Sequence, residues 1–406
     1  MKFIHFADAH LDSPFRGLSF LPSKAFNQIY QAADQSLTKI VDLALKENVD
    51  LVLIAGDTFD SNHPSPRSQL FFAKEIKRLT DAQIQVVMIF GNHDHMKMTD
   101  LLVAPSPYFK LLGNNEEVES AHFTSKNGFN YQVNGFSYLN NHITEDKMSE
   151  FPQNGEDYTF GIMHAQEKTT TASQNVYAPF SVSEIKALNY DYFALGHIHL
   201  RQTLSEKPWI VYPGNIQGRH INEMGAKGCY LGEINEQTKQ TELTFYSTSP
   251  IIWQEVSVTL DQKLSKNDLQ DKIVKNLDNI KQSTYFSLRV IGAQYLTEEE
   301  MDLVQDTDFW RSISMQLAFD SQLVDVRLES NNQLRLNDSD QEAFERAENE
   351  IFTLDELKKI SKDWANKSQL TESLVQNPDF LAEVKELAKV KMASKLKGIS
   401  DETETN

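Results

Sequence analysis

Five apolar runs, each stopping at side chains able to bind a metal or move a proton, constrain this chain more than anything else in it. Phe3-Ile4-His5-Phe6 leads to Asp8 and His10, and Leu51-Val52-Leu53-Ile54-Ala55 leads to Gly56-Asp57. Val86-Val87-Met88-Ile89-Phe90 leads to Gly91-Asn92-His93-Asp94. Phe160-Gly161-Ile162-Met163 leads to His164, and Tyr192-Phe193-Ala194-Leu195 leads to Gly196-His197-Ile198-His199. Unbroken apolar runs are the pattern of strands buried on both faces, and parallel strands of that kind present ligand-binding side chains at their carboxyl ends. The simplest geometry puts all five ends around one site.

Between the runs the pattern is helical. Apolar positions recur at helical spacing over 23–46 and again around 68–79, so residues 1–100 read as βαβαβ and the fold class as α/β. Residues 101–160 are less regular, with short strands expected around Tyr131, Val133, Phe136 and Tyr138. Ile210 to Asn215 reads as another strand ending beside the site. Runs at 229–234 and 243–246 read as a hairpin closing a first domain over 1–250. A small β-α-β-α-β module is expected over 251–335; it has no dense cluster of ligand-type side chains, so a capping or substrate-shaping role suits it. Residues 336–398 form a polar, helical tail with capping-box spacing at Thr353-Leu354-Asp355-Glu356. Its amphipathic helices either dock on a partner or pack on their own domain. Residues 399–406 are expected to be disordered.

With 58 acidic against 39 basic residues, the net charge of −19 repels polyanions at long range. A free-standing nucleic-acid binder is usually basic, so a nucleic-acid role needs bound metal or a partner protein to make the working face locally positive. Most of these charges read as a solvated surface. The single cysteine, Cys229, excludes an internal disulfide and fits a reducing compartment. No run is long enough to span a bilayer, and the amino terminus lacks the features of a signal peptide, so a cytoplasmic location is the expectation.

Taken singly, each motif has a plain alternative. Asp8-x-His10 reads equally as a turn with a surface histidine, Asn92-His93-Asp94 as an Asx turn, and His164 as a hydrogen-bonded interior residue. Together, at five successive strand ends, they read as one metal centre. Oxygen and imidazole donors without thiolate suit Mn²⁺, Fe²⁺ or Zn²⁺. Their number exceeds the need of one ion, and two ions ~4 Å apart would share a carboxylate.

Asp8-x-His10, Gly56-Asp57-x-x-Asp60, Gly91-Asn92-His93-Asp94, His164 and Gly196-His197-x-His199 together resemble the calcineurin-like metallophosphoesterase superfamily. Pro64-Ser65 and Tyr212-Pro213-Gly214-Asn215 are similar to its DNA-repair exonuclease branch, with SbcD-type and YhaO-like members. The resemblance implies a four-layer α-β-β-α sandwich with a small α+β capping domain and a helical C-terminal tail. It implies Asp8, His10, Asp57 and His199 around one ion, and Asn92, His164 and His197, again with Asp57, around the other. His93 would serve the leaving oxygen as proton donor or charge stabiliser, oriented by Asp94; Asp60 reads as a supporting group or loop cap. Mn²⁺ is the expected metal, with Fe²⁺ and Zn²⁺ as alternatives. Arg16, Lys97, Arg201 and Arg219 are candidate phosphate contacts, and His95 and His220 candidate substrate contacts. The implied function is a DNA exo/endonuclease of DNA repair, partnered through the C-terminal helices by an SMC-like coiled-coil ATPase, and dimeric. A phosphodiesterase or phosphatase of small nucleotides or phosphoproteins is the alternative, and fits the acidic charge better. A non-catalytic metal scaffold is a third reading, set back because no expected ligand is missing.

Overall fold

Side chains alternate faces along a strand, so a strand apolar at every position must be covered on both sides. The computed structural model meets that requirement; it describes residues 1–330 except 156, 172, 173, 278 and 279, and beyond 330 only isolated positions between 342 and 390. Two compact units divide the chain, Met1–Trp253 and Gln254–Asn406.

In the first unit one sheet holds four parallel strands, β1 (Lys2–Phe6), β2 (Leu51–Ala55), β3 (Gln85–Ile89) and β4 (Phe109–Leu111). The hairpin of β11 (Gly228–Ile234) and β12 (Thr241–Ser247) extends it antiparallel beyond β1. A second six-stranded sheet runs in the order β5 (Glu119–Thr124), β6 (Asn130–Gly135), β7 (Tyr158–His164), β8 (Tyr192–Gly196), β10 (Trp209–Tyr212), β9 (Gln202–Glu206). Strands β6, β7, β8 and β10 are mutually parallel.

The faces sort by residue parity. Phe3, Leu51, Leu53, Val87 and Ile89 meet Tyr158, Phe160, Ile162, Tyr192 and Ala194 between the sheets. Ile4, Phe6, Val52, Ile54, Val86 and Met88 turn outward to α2 (Ala32–Lys46) and α3 (Pro66–Asp81). Met163, Phe193, Leu195 and Ile210 face the opposite way, under α4 (Val182–Ala187) and its flanking loops. Each fully buried Leu, Ile or Phe contributes about 2 kcal/mol. The architecture is therefore helix, sheet, sheet, helix, with a fourth layer of one short helix plus loops. The helix read as continuous over 23–46 is two, α1 (Ser23–Tyr30) and α2, parted at Gln31. Among the described residues no helix is long and apolar enough to cross a membrane.

His5 is the one titratable side chain facing the inter-sheet core from β1. Its Nδ1 lies 2.8 Å from the Tyr192 hydroxyl, and burial pushes its pKa down to about 3. An unfolded histidine titrates near 6.5, so below that pH the unfolded chain takes the proton more readily. The stability is complete above pH ~6.5 and declines as pH falls toward 3. Between pH 6.5 and 5 wild type should lose about 1.5 kcal/mol more than His5→Gln in urea unfolding. Equal losses would mean that His5 is charged in the folded state.

The second unit carries a three-stranded sheet in the order β13 (Ile252–Thr259), β14 (Thr284–Ile291), β15 (Gln322–Glu329), with β14 and β15 parallel. Helices α5 (Lys266–Leu277), α6 (Glu298–Val304) and α7 (Thr307–Ser314) pack on it. Leu269, Ile273, Leu288, Val290, Met301 and Ile313 form its core. Where the expected β-α-β-α-β module has one second helix, the structure has two, α6 and α7, each started by its own cap, Thr297 and Asp306. Val390 is fully buried in this core and Leu387 packs against it, so that part of the tail lies on its own unit. Leu357, Ile360, Trp364 and residues 399–406 lie outside the described residues.

Candidate metal centre

The carboxyl ends of β1, β2, β3, β7 and β8 meet at one edge of the first unit. Immediately beyond them the backbone turns sharply: Asp8, His10, Asp57 and His197 have φ of 51°, 43°, 48° and 97°. Left-handed backbone at non-glycine residues costs of order 1–3 kcal/mol each and clusters where side-chain direction matters more than strain. Glycines supply the close approaches. A Cβ at Gly91 would stand 2.2 Å from Asp57 Oδ1, and one at Gly196 would stand 1.9 Å from the Ala55 carbonyl oxygen.

All seven expected ligands converge. Asp8, His10 and His199 form one donor group, and Asp8, Asp57 and His164 another; in each, one ligand atom per residue lies within 4.8 Å of the others. Asp57 Oδ2 is 3.3 Å from His164 Nε2 and 3.7 Å from His10 Nε2, facing both groups. Asn92 Oδ1 lies 3.0 Å from His164 Nε2 and 3.1 Å from His197 Nδ1. Asp8 accepts the His197 backbone N–H through both oxygens, at 3.0 and 3.2 Å. A third group, His10, Asp60 and His93, adjoins them.

Divalent cations fit this donor set. His199 donates Nδ1–H to Glu223 Oε1 at 2.6 Å, and His10 turns Nδ1 toward Asp60 Oδ1 at 3.2 Å. The His199 Nε2 lone pair is thereby left free, 3.0 Å from His10 Nε2, while the buried His10 Nδ1 makes no hydrogen bond. Two imidazole nitrogens that close offer adjacent donors to one cation. His164 likewise gives Nδ1–H to the Ala55 carbonyl at 3.0 Å and points its other nitrogen at the oxygens of Asn92 and Asp57. The site's demand for positive charge shows in its titration. Against desolvation by burial, the charges of Asp57 and Asp8 lift His164 to about 9. Burial opposes ionisation of Asp57 too, yet His164 and His10 hold it far below the ordinary carboxylate range.

Residues 1–201 match the calcineurin-like phosphoesterase family. The chain carries a calcineurin-like metallophosphoesterase domain. The Bacillus subtilis (strain 168) uncharacterized metallophosphoesterase YhaO is 35% identical over 267 residues, 64% of this chain and 64% of that protein. The match thus spans just under two thirds of that relative's length. The Sulfurisphaera tokodaii DNA double-strand break repair protein Mre11 is 25% identical over 76% of this chain and 79% of its own. The SbcD subunit of the Staphylococcus epidermidis nuclease SbcCD is 23% identical over 75% of this chain and 83% of its own.

Around the phosphoesterase centre several side chains differ from their expected contacts. Asp94 does not orient the His93 ring. It is fully buried and accepts the backbone N–H groups of Gly91 and Thr58, both at 2.7 Å, so it fixes the two loops instead. Burial and the charge of Asp57 push its pKa up to about 7. The exposed His93 presents Nδ1 to the Asp60 carbonyl at 3.1 Å, and its backbone N–H goes to Asp57 Oδ1 at 2.9 Å. Arg219 donates to Asp60 Oδ1 at 2.6 Å, and the Arg201 guanidinium lies over the Phe245 ring at 3.8 Å. Those partners take up the two cations expected at phosphate. His220 Nε2 is 3.3 Å from Glu223 Oε1, while His95 Nδ1 faces the Asn92 carbonyl at 2.8 Å. Arg16 and Lys97 are exposed on turns after the first and third strands.

Sequence reasoning missed Glu223, Lys227 and the side-chain role of Asn215. Lys227 Nζ donates to the His199 carbonyl at 2.8 Å, and Asn215 Nδ2 donates to Glu223 Oε2 at 2.7 Å. Burial works against the charge on Glu223, but hydrogen bonds from His199 and His220 hold it well below the usual range. Nothing in the spacing of 215–227 marks these residues; only the fold brings them behind His199.

Proposed function

We propose that this chain is a metal-dependent phosphodiesterase that cuts DNA, a nuclease of DNA repair using a pair of divalent ions, preferably Mn²⁺. The observation that carries this reading is Asp57, one carboxylate facing two donor groups, with exposed His93 beside it. Asp8, His10, Asp57 and His199 would hold one ion, and Asp57, Asn92, His164 and His197 the other. Bound there, the ions supply Lewis-acid activation of water and neutralise phosphoryl charge. With Nδ1 directed to the Asp60 carbonyl, His93 keeps Nε2 for the substrate and passes a proton from it to the leaving oxygen. Asp94 holds the Gly91 and Thr58 loops still while this happens.

Two relatives are named for DNA double-strand break repair and for a nuclease, and the second is named as one subunit of an assembly. This supports DNA as substrate and a partner subunit; the sequence resemblance makes that partner an SMC-like coiled-coil ATPase, which would also offset the −19 charge at long range. The partner would engage the tail upstream of the packed Leu387–Val390 segment. Self-association into a dimer and a cytoplasmic location complete the proposal. The acidic charge favours one rival, a phosphodiesterase or phosphatase of small nucleotides or phosphoproteins.

The purified protein with Mn²⁺ should degrade linear DNA faster than it hydrolyses cyclic nucleotides or phosphopeptides, and faster again with the ATPase added. Hydrolysis confined to the small substrates, with or without the ATPase, would establish the rival instead.

A further inference from the structure

Behind the phosphoesterase centre, the segment following β10 wraps around His199. Glu223 Oε1 takes the Nδ1–H of that imidazole at 2.6 Å. Its other oxygen accepts Asn215 Nδ2 and the Arg219 backbone N–H, both at 2.7 Å. Glu223 is 7% exposed, so these partners replace the water that a free carboxylate would have. The carbonyl of His199 is held as well, by Lys227 Nζ at 2.8 Å and the Asn215 N–H at 3.3 Å. Ring and backbone of one residue are thus gripped by a single stretch of chain. Asn215 also bridges to Ala7, next to Asp8, so the same stretch is joined to the strand end that carries Asp8 and His10.

An imidazole whose Nδ1–H is committed to a carboxylate has one tautomer, with the Nε2 lone pair outward. Without that acceptor both tautomers are populated, and the one protonated at Nε2 cannot coordinate. The ring also gains freedom to rotate away from His10.

We propose that Glu223 is a positioning residue for the metal centre, fixing the tautomer and ring orientation of His199 through the 2.6 Å Nδ1–H···Oε1 contact. It rests on the reading of His199 as a metal ligand. In this reading Glu223 is not itself a ligand and acts on the ion through His199, although its Oε1 also lies 3.3 Å from His220 Nε2. Of the two ions, it governs the one at Asp8, His10 and His199 and leaves the one at Asn92, His164 and His197 alone.

The test is Mn²⁺ titration calorimetry on full-length wild type, Glu223→Gln, Glu223→Ala, His199→Ala and the His199→Ala/Glu223→Ala double variant. NMR of ¹⁵N-histidine-labelled, metal-free protein reports the His199 tautomer alongside. Glu223→Ala and Glu223→Gln should weaken one Mn²⁺ site by about 10–100-fold and spare the other. Both should raise the Nε2-protonated fraction of His199, and Glu223→Ala should add nothing in the His199→Ala background. Should Glu223→Ala fail to fold, the near-isosteric Glu223→Gln carries the comparison. Unchanged affinity and tautomer in the folded variants would overturn the proposal. So would equal weakening of both sites with a lowered Tm, which is what a merely structural role produces. Wild type that binds no Mn²⁺ is a different failure: it overturns the metal reading itself, and this inference with it.

Discussion

Asp57→Asn should strip the centre of both proposed ions, and with them the proposed phosphodiesterase activity. Asp57 Oδ2 lies 3.3 Å from His164 Nε2 and 3.7 Å from His10 Nε2, facing both sides of the proposed pair. The substitution keeps the volume and removes the charge. At an effective dielectric of ~20, one carboxylate charge and a divalent ion ~4 Å apart interact by about 8 kcal/mol, so losing that charge lowers the affinity for each ion by at least roughly 10³. Calorimetry with Mn²⁺ should therefore show no site of wild-type affinity. A single surviving full-affinity site would assign Asp57 to one ion only. The metal-free variant offers a second readout. His164 stands at about 9 because, against its burial, Asp57 is the first charge raising it, so its NMR titration should fall when Asp57 becomes neutral. A raised histidine pKa contributes stability below ~6.5 that is lost as pH rises through the folded value. In the metal-free state, the variant's stability should consequently vary less between pH 7 and 9 than wild type's.

What was legible in the amino-acid sequence was whatever depended on strand periodicity. An unbroken run such as Leu51–Ala55 must be covered on both faces, and a parallel neighbour must place its carboxyl end at the same edge. From those two facts Asp8, Asp57 and Asn92 share one sheet edge and His164 and His197 another; that the two edges meet depends on how the sheets stack. The thin fourth layer was not legible, because the six-residue α4 is too short for a periodic signal. Nor was the break at Gln31, since that residue is an acceptable helix former. The long cations failed for another reason. Arg201 over Phe245 and Arg219 on Asp60 are directed by neighbours distant in sequence, whereas proximity to a motif in the chain had pointed them at substrate. Asp94 failed similarly: adjacency to His93 implied a side-chain partner, but the turn aims its carboxylate back into the Gly91 and Thr58 backbone. In the tail, amphipathic spacing alone could not choose between a partner and the chain's own core, and Val390 takes the latter.

His93→Ala separates proton transfer from metal binding. The ring is exposed, its Nδ1 is committed to the Asp60 carbonyl at 3.1 Å, and only its backbone N–H touches Asp57. Removing the imidazole therefore leaves every proposed ligand and its hydrogen bonds in place, because alanine retains the N–H that Asp57 Oδ1 accepts. The expected result is a fall in kcat of about 10²–10⁴, the usual contribution of a positioned general acid, with both Mn²⁺ affinities within about twofold of wild type. The dependence on the leaving group should sharpen at the same time. A nitrophenolate leaves without needing a proton, so an activated ester should lose far less rate than a DNA phosphodiester whose alkoxide must be protonated. Equal losses on the two substrates would mean that His93 stabilises phosphoryl charge instead of donating a proton. Loss of one ion alongside the rate would make it a ligand, and its place beside His10 and Asp60 would then have to be read as a third coordinating group.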